Sequence, residues 1–245
     1  MVNQNKSLTK GLQVLKEIMN NEESINANTL CLKFEIDKST MSRLITTLIN
    51  EGFIKYIENT KEIVYVDVIQ NLTKKKKEEL IVKQTHTLLN EIFSQTNECS
   101  YISVLDENML LHLNQVDNSN RILKNRDSIG YHAPLHATAM GKVILAFSNI
   151  DINTLSLEAF TNDTITHQKR LQLNLQTIKE LGYAIDDEEY EHGLRSVAVP
   201  YFSKNKELIG AIGVSGLAAR LDIEKLQNFA TILQNLAKSH KTNII

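Results

Sequence analysis

The polar side chains of residues 38–49 have the types and the spacing expected of a surface that approaches a nucleic-acid duplex. Short donors can reach phosphates and base edges, and Arg43 can form a two-pronged contact with guanine. Apolar residues recur at helical spacing in the same stretch, which predicts a buried stripe opposite the polar face. The stripe comprises Met41, Leu44, Ile45, Leu48 and Ile49, and the polar face comprises Lys38, Ser39, Ser42, Arg43, Thr46 and Thr47. An ordinary solvated face would look the same, so the neighbouring elements decide between the two interpretations.

Two other groups of residues have the types needed for catalysis or metal binding, but neither forms a complete site. His132 and His136 have the i, i+4 spacing of a metal-binding pair, yet the proline between them breaks a shared helix. The acidic run at 186–191 could supply a general acid and a general base, but no nucleophile or Gly-rich phosphate loop accompanies it. Solvated carboxylates are the simpler interpretation, with Glu189 as an internal partner of Arg195. We therefore predict no metal, no cofactor and no catalytic residue.

The composition indicates a folded globular protein of two domains. The chain has 245 residues, of which 42% are hydrophobic and 23% are charged, and this length is enough for two ordinary cores. No run of about 18 apolar residues is present, so no membrane span is expected. The first residues lack the apolar core of a signal peptide and the two cysteines are isolated, which together predict a cytoplasmic protein. The net charge of −2 by itself gives no indication of a nucleic-acid partner.

Three short helices are predicted in the N-terminal part, and the third contains the polar face described above. The first covers 7–20 and the second covers 26–34, and a three-residue turn then leads into the third. The residues whose side-chain oxygens can cap these helices are Ser7, Asn26 and Asp37. The first helix is expected to bury Leu8, Leu12, Leu15 and Met19. Two short helices joined by so tight a turn form a helix-turn-helix.

Two runs of β-branched and aromatic residues follow the third helix. They cover 53–58 and 62–67, and Asn59-Thr60-Lys61 separates them. This pattern predicts a β-hairpin, so the element order is that of a winged helix-turn-helix. Lys61, at the tip of the wing, would contact phosphate or the minor groove. In this context we predict that the polar face of the third helix binds DNA.

One longer helix is predicted at 72–96. It opens with Lys74–Lys77, whose positive charge opposes the helix macrodipole. Nearby phosphate would explain the run, and a merely solvated run would explain it equally well. The apolar residues of this helix form a stripe suited to pairing with another helix: Ile81, Leu88, Ile92 and Phe93. We therefore interpret it as a linker helix that also dimerises the chain.

From Cys99 onwards the hydrophobic pattern is that of an α+β sensor domain. Strands are predicted at 99–106, 109–116, 120–125, 183–186, 194–201 and 207–215. Helices are predicted at 136–147, 151–159, 168–181 and 222–239. The N-terminal amides of the 136–147 helix would be free to hold an anion.

With these elements in place, the chain resembles the IclR family of bacterial transcriptional regulators over nearly its whole length. Five ordered motifs carry the resemblance: Lys38-Ser-Thr with Arg43-Leu, Leu135-His-Ala-Thr-Ala-Met-Gly-Lys, Gly182-Tyr-Ala-Ile-Asp-Asp-Glu-Glu, Gly193-Leu-Arg-Ser-Val-Ala-Val-Pro, and Gly210-Ala-Ile-Gly-Val-Ser-Gly ending in Arg220. The resemblance implies a homodimer or homotetramer whose GAF-like domain binds a small molecule, often an organic acid. Residues that depart from the family's usual ones are Glu35, Ser196 and Gly213, and they bear on the effector's identity rather than on the fold.

The polar pattern of the third helix and the wing predicts one set of binding residues, and the family resemblance implies a second set. The candidates for DNA are Lys38, Ser39, Thr40, Ser42, Arg43, Thr47 and Lys61, and those for the effector are Thr138, Ala139, Met140, Asp186, Ser196 and Ser215. In the second set, backbone N–H groups would bind a carboxylate and Asp186 would accept from a ligand hydroxyl. A purely structural role stays open for three of these residues. Ser196 and Ser215 could satisfy strand ends, and Asp186 could cap a turn.

We predict an α+β protein with a winged helix-turn-helix DNA-binding domain at 1–70, a linker helix at 71–96 and a GAF-like effector-binding domain at 97–245. The predicted function is a DNA-binding transcriptional regulator, a repressor in preference to an activator. Its predicted partners are double-stranded operator DNA, an organic-acid effector and further copies of the chain, and not a membrane. The alternative is an enzyme that processes a small molecule and uses its winged helix only for protein contact.

Overall fold

The structure, a computed structural model, describes residues 5–21, 24–117, 121 and 127–241, with the side chains of 68–71 excepted. The chain divides into two compact units, Met1–Lys76 and Lys77–Ile245. Each combines helices with an antiparallel sheet, which confirms the α+β prediction. The boundary lies inside one long helix, and the separate linker at 71–96 stays a prediction. No helix in the described part of the chain has the length and apolar character needed to cross a bilayer.

The first unit contains three helices and a small three-stranded sheet. Its elements are α1 (Lys6–Asn20), β1 (Ile25–Asn26), α2 (Ala27–Phe34), α3 (Lys38–Asn50), β2 (Ile54–Tyr56) and β3 (Glu62–Tyr65). The strand order is β1-β3-β2, so the predicted hairpin is confirmed and β1 adds to the outer side of β3. With only two residues, β1 is too short for alternation to reveal it in the sequence.

The helix-turn-helix forms around α2 and α3 as predicted. Asp37 caps α3 by accepting the backbone N–H groups of Ser39 and Thr40 at 3.0 and 2.9 Å. Asn26 caps α2 in the same way. Glu35 ends α2 with a φ of 50°, and this left-handed conformation costs a non-glycine residue about 1 kcal/mol.

The buried face of α1 differs from the predicted one. Leu15 is buried, together with Val14 and Ile18, because this side of the helix meets the sheet and α3. The other predicted residues are exposed instead: Leu8, Leu12 and Met19. The cap also differs, because the side-chain oxygen of Asn5, and not that of Ser7, accepts the first free N–H groups. A second apolar stripe on α1 therefore has no cover within the described part of the chain.

The long helix α4 (Val68–Thr96) begins four residues before its predicted start. Lys74–Lys77 therefore lies in the second and third turns, where the macrodipole no longer acts strongly. The argument for nearby phosphate from an unfavourable helix start was wrong. The stripe residues Ile81, Leu88 and Ile92 are buried in the core of the second unit, so they are not available to pair with a partner's helix.

The second unit is a six-stranded antiparallel sheet with helices on both faces. Its elements after α4 are β4 (Cys99–Asp106), β5 (Met109–Val116), β6 (His132–Pro134), α5 (Ala139–Phe147), α6 (Gln168–Leu181), β7 (Ala184–Asp187), β8 (Leu194–Phe202), β9 (Leu208–Leu217) and α7 (Ile223–Ser239). The strand order is β6-β5-β4-β9-β8-β7. One face packs with α4 and α7 and the other with α5 and α6. Burial on both faces explains why the central strands are nearly continuous apolar runs.

Some predicted elements of this unit need correction. The helix predicted at 136–147 begins only at Ala139, after a turn, and the one predicted at 151–159 is a single 3₁₀ turn at Ile152–Thr154. The three-residue strand β6 was not predicted. The strand predicted near 120–125 lies outside the described residues except for Arg121. The other strands and helices agree with the predictions to within two residues at each end.

Candidate functional site

The polar face of α3 points to solvent. Its predicted residues are all exposed except for the half-buried Thr40: Lys38, Ser39, Thr40, Ser42, Arg43 and Thr47. The guanidinium of Arg43 lies 3.3 Å from the hydroxyl of Ser39, and Thr47 donates its hydroxyl to the Arg43 carbonyl at 2.9 Å. Lys61 is exposed in the turn between β2 and β3. None of these side chains is buried in the core of the first unit, so they are free to contact a nucleic-acid duplex.

A cavity of about 460 Å³ in the second unit brings together five of the six predicted effector residues. Thr138 and Met140 come from the start of α5, and Asp186, Ser196 and Ser215 come from three adjacent strands. Asp186 is directly opposite Ser196, and Ser196 is directly opposite Ser215. Residues in one such row lie on the same face of a sheet. Strand register therefore places these three side chains on the cavity wall together.

The start of α5 forms the facing wall. Thr138 caps the helix, accepting the N–H of Gly141 at 3.1 Å and donating its own hydroxyl to the Pro134 carbonyl at 2.9 Å. The backbone N–H groups of Ala139 and Met140 precede the first intrahelical bond, so no helix carbonyl accepts them. The side chain of Ala139, the sixth predicted residue, is buried in the core and does not line the cavity. Ala139 can therefore contribute only its backbone.

Aromatic and imidazole side chains complete the cavity, and the sequence reasoning missed them. They are Tyr101, His112, Tyr131, His132, Tyr190 and His192. Tyr101 and His112 come from the neighbouring strands β4 and β5, and their ring centroids are 5.4 Å apart. The hydrophobic pattern of the sequence predicted both strands, but it did not show which face of the sheet α5 covers. The resemblance to known regulators offered no signal for these residues either.

Asp186 is the buried acid of the cavity wall, with 1% of its surface exposed. Its carboxylate accepts the backbone N–H of Glu189 at 2.8 Å and the hydroxyl of Ser196 at 3.2 Å. Burial raises the pKa of Asp186 to about 7, against the opposing ammonium of Lys142 and with the help of the Glu189 carboxylate. Asp186 therefore changes its charge close to neutral pH.

Lys142 of α5 bonds the segment from Ile185 to Glu189, and this contact corrects one expectation from the sequence. Its ammonium, 1% exposed, donates to the Ile185 carbonyl at 2.7 Å and forms an ion pair with Glu189. The predicted pair between Glu189 and Arg195 was wrong. Arg195 instead bonds Asp187 at 2.6 Å, because the two residues are directly opposite on β7 and β8.

His132 and His136 bind different partners. His132 lies 2.8 Å from a carboxylate oxygen of Asp106, and His136 lies 2.9 Å from the Glu158 carbonyl. The described residues contain no group of three His, Cys, Asp or Glu side chains that could hold a metal ion. The two histidines belong to a strand and a turn, respectively, and not to one helix face.

Two family models match this chain. The one described as bacterial transcriptional regulator IclR C-terminal matches residues 74–241, and the one described as IclR helix-turn-helix domain matches residues 7–58. The chain belongs to the IclR family. This IclR-family protein is a transcriptional regulator with an N-terminal helix-turn-helix domain and a C-terminal effector-binding domain. The matches do not favour the enzyme alternative.

Individual relatives agree with this assignment. The regulator KdgR of Escherichia coli K12 is 27% identical over 233 residues, which are 93% of this chain and 87% of KdgR. The transcriptional repressor IclR of the same strain is 26% identical over 247 residues, with 95% and 87% covered. The inducer-binding domain of PobR from Acinetobacter, solved as a double mutant with 3-hydroxybenzoic acid, has a TM-score of 0.60 at 25% identity. That comparison covers 64% of this chain and 95% of the PobR chain.

The buried ion pair yields a testable prediction. Lys142→Met keeps the length of the side chain but leaves the Glu189 carboxylate buried without its cation. Removal of one partner of a buried pair costs about 3–5 kcal/mol, so the urea midpoint of unfolding should fall sharply. Lys169→Met, at an exposed position of α6, should change stability by less than about 0.5 kcal/mol. The double variant Lys142→Met/Glu189→Leu should recover much of the loss, and an unchanged midpoint in Lys142→Met would contradict the pairing.

Proposed function

We propose that this IclR-family regulator represses transcription by binding operator DNA through α3 and the β2–β3 wing, and that a small organic acid in the cavity modulates this binding. The convergence of α5, β7, β8 and β9 on one cavity is the observation that carries the effector proposal. The name of the relative IclR, a transcriptional repressor, supports repression over activation. Such a protein would act in the cytoplasm, where bacterial DNA lies.

The DNA contacts would come from the exposed face of α3. Arg43 would read a base, because its five donors suit the acceptor pair of guanine in the major groove. The hydroxyls and Lys38 would bind phosphates and fix the register of the helix. Lys61 at the wing tip would add a phosphate contact beside it. The seven proposed residues are Lys38, Ser39, Thr40, Ser42, Arg43, Thr47 and Lys61.

The effector would be a small carboxylate seated at the start of α5. The free N–H groups of Ala139 and Met140 suit an anion, and the positive end of the helix dipole favours it. Thr138, Ser196 and Ser215 supply hydroxyls nearby, and a protonated Asp186 would donate a hydrogen bond to the same carboxylate. The 3-hydroxybenzoic acid in the PobR domain supports an organic acid as the chemical class.

The assembly would be a homodimer or a homotetramer. The stripe of α4 is buried within its own unit, but α1 exposes Leu8, Leu12 and Met19 by 61%, 49% and 48%. A helix face of this kind usually marks a surface that another chain covers. A two-fold pair of winged helices would then read two half-sites of one operator.

The first test concerns Arg43. Arg43→Ala should weaken specific operator binding by about 1–3 kcal/mol if the guanidinium reads a base. The operator would be recovered by selection of bound fragments from random DNA, and affinity would be measured by fluorescence anisotropy. Lys16→Ala, an exposed cation on α1, serves as the control and should leave affinity almost unchanged. Equal losses on specific and random DNA would assign Arg43 to a phosphate instead.

The second test concerns Asp186 and pH. Because the pKa of Asp186 is about 7, the residue is neutral below this pH and repels an anion above it. The affinity for the best acid from a thermal-shift screen that includes 3-hydroxybenzoate should therefore fall as pH rises from 6 to 8. Asp186→Asn keeps the shape and removes the titration, so its affinity should be nearly flat with pH. A slope that persists in Asp186→Asn would come from another group, such as a histidine of the cavity.

The third test concerns assembly. Leu12→Ser places a hydroxyl in the exposed stripe of α1 without entering the core. Sedimentation velocity should show the variant dissociating at a higher protein concentration than the wild type, since apolar area is lost from the interface. Leu32→Ser is the matched control, because Leu32 is 82% exposed on α2 and lies outside this stripe. Identical sedimentation of all three proteins would remove α1 from the interface.

A further inference from the structure

A second cavity, of about 560 Å³, lies at the β7 edge of the six-stranded sheet. β7 pairs with residues 195–198 of β8, and β8 continues to Phe202. Among the described strands, none lies beside residues 199–202 on this side, and the space next to them is the cavity. Residues at the C-terminal ends of α5, α6 and α7 form its other walls. Within the described part of the chain, it shares no lining residue with the candidate effector cavity.

One part of the lining is apolar. Its members come from the three helix ends and from the end of β8: Phe147, Leu181, Val199, Pro200, Phe202 and Ala237. The rings of Phe147 and Phe202 meet edge to face, with their centroids 5.9 Å apart. Leu181, the last residue of α6, is 49% exposed. A single exposed leucine is unremarkable, but apolar side chains gathered in a cavity of this volume are typical of a small-molecule site.

A hydrogen bond at the cavity fixes the distance between α6 and α7. The side-chain amide of Gln234 on α7 donates to the Leu181 carbonyl at 3.0 Å. The next residue, Gly182, has a φ of 74°, and a Cβ there would lie 3.0 Å from the same amide nitrogen. A side chain at this position would be strained and would crowd the amide, so glycine preserves the contact. The walls are therefore held in place by the chain itself, which lowers the entropic cost of binding.

The lining also carries positive charge. Four lysines contribute it, from α6, from the turn between β8 and β9 and from the end of α7: Lys179, Lys206, Lys238 and Lys241. All four are exposed, and none of their ammonium groups pairs with another described residue. Lys179 and Lys238 lie in the last turns of their helices, where a cation also complements the helix dipole. Lys206 belongs to neither helix, so the dipoles do not account for the whole group.

We propose that this cavity is a second ligand site, which binds a small amphiphilic anion: an apolar chain that ends in a carboxylate. The chain would lie against Leu181 and the two phenylalanine rings. The carboxylate would accept hydrogen bonds from the lysine ammonium groups, each of which offers three donors and no acceptor. Exposed lysines alone would hold an anion only weakly in water, so the apolar part of the lining selects a ligand with a chain. This ligand goes beyond the proposed function, because neither the operator nor the effector proposal uses this cavity.

Four probes separate the charge of the ligand from its chain. They are octanoate, octan-1-ol, octylammonium and acetate, titrated into the full chain by isothermal titration calorimetry at constant ionic strength and below micelle-forming concentrations. We expect saturable binding of octanoate. Octan-1-ol lacks the charge, octylammonium reverses it and acetate lacks the chain, so each should bind at least about tenfold more weakly. No binding of octanoate, or equal binding of any other probe, would overturn the proposal.

Charge reversal at two lysines then locates the carboxylate. Lys206→Glu/Lys241→Glu should weaken octanoate binding by at least about tenfold, because two attractive charges become repulsive. Lys169→Glu/Lys204→Glu has the same net charge at exposed positions outside the cavity, and it should keep octanoate affinity within about twofold of the wild type. Wild-type affinity in the first variant would place octanoate elsewhere, and the proposal would fail. Since the two cavities share no lining residue, that outcome leaves the effector proposal standing.

Leu181→Ser locates the chain of the ligand. The substitution removes apolar area from the lining and keeps the carbonyl that Gln234 bonds, so octanoate affinity should fall about fivefold. Leu173→Ser is the matched control, because Leu173 is 61% exposed on the same helix and lies outside the cavity. This control should bind octanoate like the wild type. Unchanged octanoate affinity in Leu181→Ser would contradict the proposed contact between the chain and the apolar lining.

Discussion

The buried ammonium of Lys142 is the contact on which the arrangement of the second unit depends. It projects from α5 and bonds the Ile185 carbonyl and the Glu189 carboxylate. An ammonium cannot stay buried without such partners, so the segment from Ile185 to Glu189 must remain against the helix. This segment presents Asp186 to the candidate effector cavity. A single ion pair therefore holds the wall of the cavity that carries Asp186.

Two glycine residues allow close packing around the start of α5. A Cβ on Gly141 would lie 2.4 Å from the Leu135 carbonyl oxygen, and one on Gly213 would lie 2.8 Å from the Val197 carbonyl oxygen. Distances this short are not tolerated in a packed interior. The side chain of Met140 occupies the space beside Gly213. Met140 lines the candidate effector cavity, so a thioether shapes the cavity at this point.

The apolar stripes of α1 and α4 differ in whether other elements cover them. The stripe of α4 is covered by the sheet of its own unit, with Leu88 and Ile92 fully buried. The stripe of α1, by contrast, leaves Leu8 and Leu12 exposed, because the neighbouring side of that helix, through Val14 and Ile18, is the one that meets the core. Both stripes look alike in the sequence, since helical periodicity reports an apolar face and not what covers it. This is why the sequence did not show that the stripe of α4 is covered within its own chain.

The sequence by itself determined the order of the helices and most strands, the position of the helix-turn-helix and the cap at Asp37. These features depend on periodicity and on hydrogen bonds between residues a few positions apart, which a linear pattern contains. Motif resemblance added Ser196 and Ser215 to the candidate site. Only the tertiary structure decided that Arg195 bonds Asp187 and that Glu189 bonds Lys142, as well as which aromatic rings line the cavity. Those outcomes follow from strand register and from the face of the sheet that α5 covers, and both are set by packing between residues far apart in the chain.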